Sequence, residues 1–217
     1  MLLAYTPPTT PMLDLVFEDD CLLVFNKPPG LLSVPGRLPE HFDSLQLRAQ
    51  ASYPDALTVH RLDMETSGLI VMAKGKIAHR NLSRQFENRI THKTYIARVD
   101  GLVADDQGLI DLPLICDWPN RPRQMVDFDV GKPSQTNWQV LERANGETRL
   151  KLTPITGRSH QLRVHCKALG HAILGDGLYA SARTAGLVDR LMLHAECLTL
   201  NHPATNTAIT FNSPAPF

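Results

Sequence analysis

The chain has 217 residues and a formal net charge of zero, with 22 basic and 22 acidic side chains. This length suits one sizeable domain or two small lobes that share a core, and the composition is ordinary for a soluble globular protein. The neutral balance argues mildly against nucleic-acid binding, because such domains are usually basic, and no apolar run approaches the roughly 18–20 residues that cross a bilayer.

The charges are unevenly distributed along the chain. No acid occurs from Thr148 to Gly175, where the basic residues are Arg149, Lys151, Arg158, Arg163 and Lys167. A second basic stretch, opposed only by Glu87, holds Arg80, Arg84, Arg89, Lys93 and Arg98. If the two stretches meet in space they form a positive groove on a neutral protein, whereas charge alone favours two separate solvated faces.

The first residues of the sequence and its cysteines indicate the cellular compartment of the protein. The segment MLLAYTPPTTPM has neither a basic n-region nor a sustained apolar h-region, so we expect no signal peptide. The four cysteines lie far apart without a CxxC pair: Cys21, Cys116, Cys166 and Cys197. They are predicted to be reduced thiols in a cytoplasmic protein.

Short apolar runs separated by polar breaks dominate the first half of the chain. The predicted strands there are Leu13–Phe17, Leu22–Asn26, Thr58–Leu62 and Leu69–Ala73. Asp43 or Ser44 is placed to cap a short helix that must end before Pro54. A longer helix is predicted from apolar residues at every fourth position, namely Ala78, Leu82, Phe86 and Ile90.

Short apolar runs separated by polar breaks also dominate the second half of the chain. Its predicted strands are Thr94–Val99, Trp138–Leu141, Arg149–Thr153, Leu191–Leu200 and Ala208–Phe211. The second and third of these form a hairpin around Asn145-Gly146, and Ser159 is placed to cap a helix that runs to Leu169, with Gly170 as the residue after its C-cap. Because strands outnumber helices, we predict a mixed α+β fold: a mainly antiparallel sheet with flanking helices, not a doubly wound α/β fold.

The segment His60-Arg61-Leu62-Asp63 is the most informative one chemically, because it joins a predicted strand to a polar loop. Residues i and i+2 of a strand face the same side, so Arg61 and Asp63 are predicted to project together into one cleft. Taken alone, the segment favours a structural interpretation instead, in which Asp63 caps its own turn with Thr66 and Ser67.

Four motifs that occur in order between Asn26 and Tyr179 argue against this structural interpretation of Asp63. HRLDMETSGLIVMAK resembles the catalytic motif of the RluA-type pseudouridine synthases, whose core is HRLDxxTSG. The other three resemblances are NKPPGLLSVPG at Asn26–Gly36, Lys93-Thr94-Tyr95, and GRSHQLRVH at Gly157–His165 with its continuation LGHAILGDGLY. The resemblance implies a pseudouridine synthase fold with a central catalytic cleft.

Two further segments resemble the A-type branch of that family, PLICDWPNRP at Pro113–Pro122 and GKPSQT at Gly131–Thr136. This branch implies two RNA substrates, a stem-loop of 23S rRNA and the tRNA anticodon stem-loop. Sister branches often carry an S4-type RNA-binding domain ahead of the catalytic domain. Here the motifs begin almost at once, so we expect a single catalytic domain over residues 1–217, no N-terminal S4 domain and, by analogy, a monomer.

The resemblance also implies roles for individual residues. Asp63 is the catalytic carboxylate, acting either as nucleophile or as base, and Arg163, in preference to Arg158, is its ion-pair partner. Tyr95 stacks on the extruded uracil and helps to move the C5 proton. Arg61 fills the gap left by the flipped nucleotide. RNA contacts are assigned to Arg61, His60, Arg158, His160, Lys93, Arg121 and Arg123.

The reaction itself restricts the cofactors that are expected. Pseudouridine formation breaks the C1′–N1 bond and joins C5 to C1′ without oxidation or hydrolysis, so neither a cofactor nor a metal is predicted. His160, His165 and His194 match no standard zinc spacing with the nearby cysteines. Trp118 is left with two equal interpretations, an RNA-stacking residue or an anchor of its loop to the core.

Two rival functions are considered. An RNA-binding protein or RNA chaperone on a retired synthase scaffold would be free to lose a catalytic residue, yet Asp63, Tyr95 and Arg163 are all present. A glycosidase would need two acids at a defined separation, and only Glu65 lies beside Asp63 in the motif.

Overall fold

The computed structural model describes residues 5–217, which form two compact units. Of the described residues, unit 1 comprises 5–93 and His194–Pro216, and unit 2 comprises Thr94–Leu193 with Phe217. Two predictions, the lack of a signal peptide and the single domain over 1–217, include residues 1–4 and so fall partly outside the described residues. Within the described part, no helix is long and apolar enough to span a bilayer.

The elements of unit 1 come from both ends of the chain. They are β1 (Leu15–Glu18), β2 (Leu22–Lys27), α1 (Leu45–Ser52), β3 (Ala56–Thr58), β4 (Ser67–Lys74), α2 (Gly75–Glu87), β11 (Leu193–Asn201) and β12 (Ala208–Asn212). The strands lie in the order β1-β2-β4-β11, with β3 paired to β4 and β12 to β11. Antiparallel pairing prevails, but β4 and β11 run parallel, with Ser67 opposite His194 and Gly68 opposite Ala195.

Strand β4 lies at the centre of unit 1 and is buried along almost its whole length. A strand that is covered on both faces reads as a continuous apolar run, which is why Leu69–Ala73 shows no alternation. Helix α2 packs its Ala78 and Leu82 into the same core. The apolar stripe predicted for this helix is therefore confirmed as far as Phe86, which is partly buried against that core.

Unit 2 contains the middle of the chain. Its elements are β5 (His92–Asp100), β6 (Gln107–Asp111), β7 (Leu114–Cys116), β8 (Gln124–Val126), β9 (Gln135–Ala144), β10 (Glu147–Pro154), α3 (Gln161–Ala168) and α4 (Ala182–Ala185). Strands β5, β10, β9 and β6 are neighbours in that order and antiparallel, while β7 and β8 form a separate ribbon. The predicted α+β class with a mainly antiparallel sheet is confirmed.

Several local predictions are confirmed together with their physical causes. The β9–β10 hairpin closes at Asn145 and Gly146, both with positive φ, as a two-residue turn with matching twist requires. Helix α1 begins after Ser44, whose side chain accepts a hydrogen bond from the amide of Leu47. Helix α3 is followed by Gly170 at φ 94°, and the amide of His171 bonds back to the carbonyl of Cys166, as in a Schellman motif.

Three local predictions are wrong. The strand predicted at Thr58–Leu62 ends at Thr58, because the backbone beyond it is held by loop contacts instead of a strand partner. The residue before α3 is His160 in a left-handed conformation, so Ser159 is not the cap. Ile90 lies beyond the end of α2 and is 45% exposed, so it does not extend the buried stripe.

Candidate active site

The HRLD segment lies in an irregular loop between β3 and β4. Arg61 is exposed and Asp63 is half-buried. The two side chains therefore do not share one face of a strand, contrary to the prediction, because residues 59–66 have no strand geometry. The amide of Thr66 donates to the carbonyl of Asp63, so the loop does turn immediately after the carboxylate.

A buried lysine fixes the conformation of this loop. Lys27 has no exposed surface, and its Nζ donates to the carbonyls of Pro28 at 2.9 Å, Leu31 at 2.7 Å and Met64 at 2.8 Å. An ammonium group has three protons to donate, and burying it is tolerable only when they are satisfied. Lys27 therefore ties the Asn26–Gly36 motif to the residue after Asp63.

A second contact between the same two motifs holds the residue before Asp63. The hydroxyl of Ser33 donates to the carbonyl of Leu62 at 2.7 Å and accepts from the amide of Leu62 at 3.1 Å. The backbone on both sides of Asp63 is thus clamped by buried polar contacts. Nothing in the local sequence of residues 27–33 indicates this supporting role.

His60 is held against the body of unit 1. Its Nε2 accepts from the amide of Val71 at 3.1 Å, and its ring stacks on Phe86 with centroids 4.4 Å apart. Burial and, to a smaller extent, the nearby Lys93 ammonium lower the pKa of His60 to about 3. The imidazole is therefore neutral at physiological pH, with Nε2 as an acceptor, and its predicted contact with RNA stays a prediction.

The end of the catalytic motif is fixed by the last strands of the chain. His194 is buried, its Nε2 lies 2.9 Å from the carbonyl of Ser213, and its Nδ1 lies 2.8 Å from the hydroxyl of Ser67. A carbonyl can only accept, so Nε2 carries the proton and Nδ1 accepts from Ser67. This contact and the parallel pairing of β4 with β11 determine where the Asp63 loop rejoins the sheet.

In unit 2, Arg163 is buried on α3 and already has a carboxylate partner. Its Nε donates to Asp176 Oδ2 at 2.8 Å and its Nη2 to Asp176 Oδ1 at 2.6 Å, while its guanidinium lies 5.1 Å from the ring centre of Tyr179. Such a bidentate pair fixes the guanidinium plane. Asp176 was not predicted to take part in the site, although it is the first acid after the stretch without acids.

The residues before α3 are also tied to the segment that follows it. The hydroxyl of Tyr179 accepts from the amide of Gln124 at 2.7 Å and lies 2.7 Å from Nδ1 of His160. Arg158 is half-buried, and its Nε donates to the carbonyl of Pro133 at 3.3 Å. The predicted RNA contacts of His160 and Arg158 remain untested by these bonds.

Tyr95 and Lys93, on β5, are both half-buried. Tyr95 pairs with Leu152 of β10 and packs on the core of unit 2. Lys93 lies 5.6 Å from the ring centre of Phe86, and burial lowers the pKa of its ammonium. Their proposed roles toward RNA stay predictions.

Trp118 does not anchor its loop to the core. It is 65% exposed, and the guanidinium of Arg121 lies 3.2 Å above its ring. Arg123 is exposed in the same loop. The anchoring interpretation is therefore wrong, and the loop presents a stacked aromatic–cation pair to solvent.

The described residues contain one group of side chains close enough to hold a metal, Asp19, Cys21 and His202, whose ligand atoms lie within 4.8 Å of one another. His202 is already engaged there, with Nε2 2.8 Å from Asp19 Oδ2 and Nδ1 accepting from two backbone amides. None of the predicted catalytic residues belongs to this group.

Comparison with known proteins extends the resemblance over nearly the whole chain. Residues 21–168 match the family described as RNA pseudouridylate synthase. The chain is 56% identical over 214 residues, 98% of both proteins, to "Dual-specificity RNA pseudouridine synthase RluA" of Escherichia coli (strain K12). It is 55% identical over 221 residues, all of this chain and 88% of the relative, to the protein of the same name from Vibrio vulnificus (strain CMCP6).

Solved structures agree with the sequence comparisons. "Human RNA Pseudouridylate Synthase Domain Containing 1" superimposes with a TM-score of 0.82 at 30% identity, over 98% of this chain and 87% of that one. "Human RNA Pseudouridylate Synthase Domain Containing 4" gives a TM-score of 0.74 at 27% identity, over 94% and 88% of the two chains.

Proposed function

We propose that this chain, which belongs to the RNA pseudouridylate synthase family, converts specific uridines to pseudouridine both in 23S rRNA and in the tRNA anticodon stem-loop. The chain is an isomerase, as its family and its relatives indicate. The dual substrate is supported by relatives that are 55–56% identical over nearly their whole length and are named dual-specificity RNA pseudouridine synthases. The rival interpretation as a retired RNA-binding scaffold is not favoured.

The main observation in support of the proposal is the loop around Asp63, whose backbone is held on both sides by Lys27 and Ser33. During the reaction the C1′–N1 bond breaks, N1 gains a proton, C5 bonds to C1′, and the hydrogen of C5 is lost. The atoms of the nucleotide are conserved, so the residues must supply acid–base or nucleophilic chemistry at the ribose. The Asp63 carboxylate is proposed to do this, either by attack on the sugar or by removal of a ribose proton.

Arg163 is the proposed partner that keeps this carboxylate ionised when RNA excludes water from it. Asp176 uses the Nε and one Nη2 donor of Arg163, and a guanidinium has five N–H donors in one plane. In general one guanidinium group can bind two carboxylates, which is what the proposed pair with Asp63 requires. Because Asp176 and Tyr179 fix the guanidinium, its orientation is set before the substrate arrives.

The remaining predicted residues are proposed to bind and flip the RNA. Arg61, which is exposed, fills the position of the extruded uridine, and Arg158 contacts phosphate. The exposed stacked pair of Trp118 and Arg121, with Arg123, is suited to unpaired bases of a loop. Further contacts are assigned to His60, His160 and Lys93. We place the enzyme in the cytoplasm as a monomer, and its four free thiols agree with a reducing compartment.

Substitutions of Tyr95 are expected to distinguish two roles of this residue, base stacking and proton transfer. If the ring only stacks, Tyr95→Phe keeps most activity and Tyr95→Ala loses about 1–3 kcal/mol of base contact. If the hydroxyl handles the C5 proton, Tyr95→Phe is nearly inactive although RNA still binds. Single-turnover rates and binding constants of both variants separate these outcomes, and full activity in both would remove Tyr95 from the site.

Dual specificity is tested with two purified RNAs, a 23S-type stem-loop and a tRNA anticodon stem-loop, each labelled with tritium at C5 of uridine. Every pseudouridine formed releases one C5 hydrogen, so tritium release counts turnovers. We expect release from both RNAs, and no release from the same RNAs with the target uridine replaced by cytidine. Release from one class alone would refute dual specificity and leave the family assignment unaffected.

A further inference from the structure

Helix α2 borders a pocket of about 380 Å³ whose residues belong to none of the four motifs. Its polar lining consists of Arg80, Asn81, Arg84, Gln85, Asn201 and Asn206. The first four are on α2, and the last two belong to the end of β11 and the turn before β12. The pocket therefore lies within unit 1, and the mechanism proposed above makes no use of it.

The charge of this pocket is uncompensated. Arg80 and Arg84 are exposed and one helical turn apart, so their guanidinium groups can act on the same ligand. In the part of the chain that the structure describes, no carboxylate lies within 4.0 Å of either one, whereas Arg48, Arg98, Arg143 and Arg163 each have one. No acidic residue lines the pocket.

The floor of the pocket is held by several hydrogen bonds. Gln85 is buried, its Nε2 donates to Asn81 Oδ1 at 2.7 Å and to the carbonyl of Asn201 at 2.6 Å, and its Oε1 accepts from the amide of Asn201 at 2.8 Å. The turn that follows is held by His202, whose Nε2 lies 2.8 Å from Asp19 Oδ2. A ligand at the two arginines would therefore meet an arrangement that is already formed.

Two exposed isoleucines flank the arginines. Ile77 is 89% exposed, and Ile90 is 45% exposed where the chain leaves α2. Arg89 adopts a left-handed conformation, φ 59°, and the amide of Ile90 bonds to the carbonyl of Gln85, which closes the helix and turns Ile90 toward the pocket rim. Paired guanidinium groups beside apolar surface suit a nucleotide, with phosphate on the arginines and sugar or base on the isoleucines.

We propose that this pocket binds the phosphodiester backbone of the substrate RNA through Arg80 and Arg84. The inference rests on the proposed function in taking RNA as the ligand. Guanidinium groups match phosphate oxygens in geometry and charge, and a site of this kind gives affinity without reading sequence. It would let a protein of zero net charge hold structured RNA by local contacts.

The test compares the salt dependence of RNA binding in wild type, Arg80→Gln, Arg84→Gln and the double variant. With about four to six phosphate contacts over the whole protein, the wild-type slope of log K against log salt should be about −3 to −5. Each substitution should reduce its magnitude by about 1 and the double variant by about 2. The loss should appear in the binding constant, because the proposed contacts of both arginines are to phosphates of the RNA.

Arg183→Gln is the matched control, because Arg183 is exposed on α4 and the described residues include no acid paired with it. It removes the same charge outside the pocket and should leave the slope unchanged. An equal effect of Arg183→Gln would show a general charge effect and overturn the proposal. A double variant with the wild-type slope and affinity would also overturn it. Failure of the proposed function is distinguishable, since it appears as a wild type that binds RNA but forms no pseudouridine.

Discussion

Asp63→Asn is expected to form no detectable pseudouridine. The substitution keeps the size of the side chain and much of its hydrogen bonding, but it removes both the charge and the nucleophilicity that the reaction at the ribose requires. RNA binding should persist, because affinity comes mainly from phosphate and stacking contacts. Folding should also survive, since a catalytic carboxylate is often a cost to stability. The measurements are tritium release, a binding titration and thermal unfolding.

The neighbouring acid provides the control for this variant. Glu65 is half-buried in the same loop, and Glu65→Gln makes the same kind of change two residues away. It should keep activity, because the proposed chemistry needs one carboxylate only. Loss of activity in Glu65→Gln would point to two-carboxylate chemistry of the kind used by glycosidases. Turnover by Asp63→Ala at a tenth of the wild-type rate or more would refute the catalytic assignment.

Gly68→Ala is expected to lower the free energy of unfolding by about 3–5 kcal/mol, because two separate costs coincide there. Gly68 has φ 109°, which side-chain-bearing residues rarely adopt, and it is the residue of β4 that lies opposite Ala195 of β11. A Cβ atom would overlap the backbone carbonyl oxygen and amide nitrogen of Ala195. The pairing of β4 with β11, which follows the Asp63 loop, would then have to open. Denaturant unfolding measures the loss.

Gly75→Ala separates the two costs. Gly75 also has a positive φ, 77°, but an added Cβ would meet no atom within 4 Å. This variant should therefore lose only the conformational part, about 1–2 kcal/mol. If Gly75→Ala and Gly68→Ala lowered the free energy of unfolding equally, the close approach of β11 to Gly68 would contribute nothing to the loss.

Features governed by residues close in sequence were predictable. The Asn145-Gly146 turn, the Ser44 cap and Gly170 after α3 each depend on the conformational preference of one or two residues, and the structure confirms them. The buried stripe of α2 follows from helical periodicity in the same manner. By contrast, β6, β7 and β8 were not predicted, because they are short and carry no clear alternation of apolar and polar residues.

Features that depend on distant partners were not predictable from the sequence. Lys27 reads as a surface lysine before two prolines, yet it is buried because three carbonyls converge on its ammonium group. Asp176 appears in no local pattern, and only the fold brings it to Arg163. Arg61 and Asp63 were predicted at the end of a strand, but contacts from Lys27 and Ser33 hold that segment as a loop.

A pseudouridine map of total rRNA and tRNA from a gene-deletion strain tests the central claim most directly. The strain is complemented with wild type or with Asp63→Asn at equal protein levels. Deletion should remove pseudouridine from a 23S rRNA loop and from tRNA anticodon loops. The wild type should restore both, and Asp63→Asn should restore neither. An unchanged map after deletion, or restoration by Asp63→Asn, would contradict this claim.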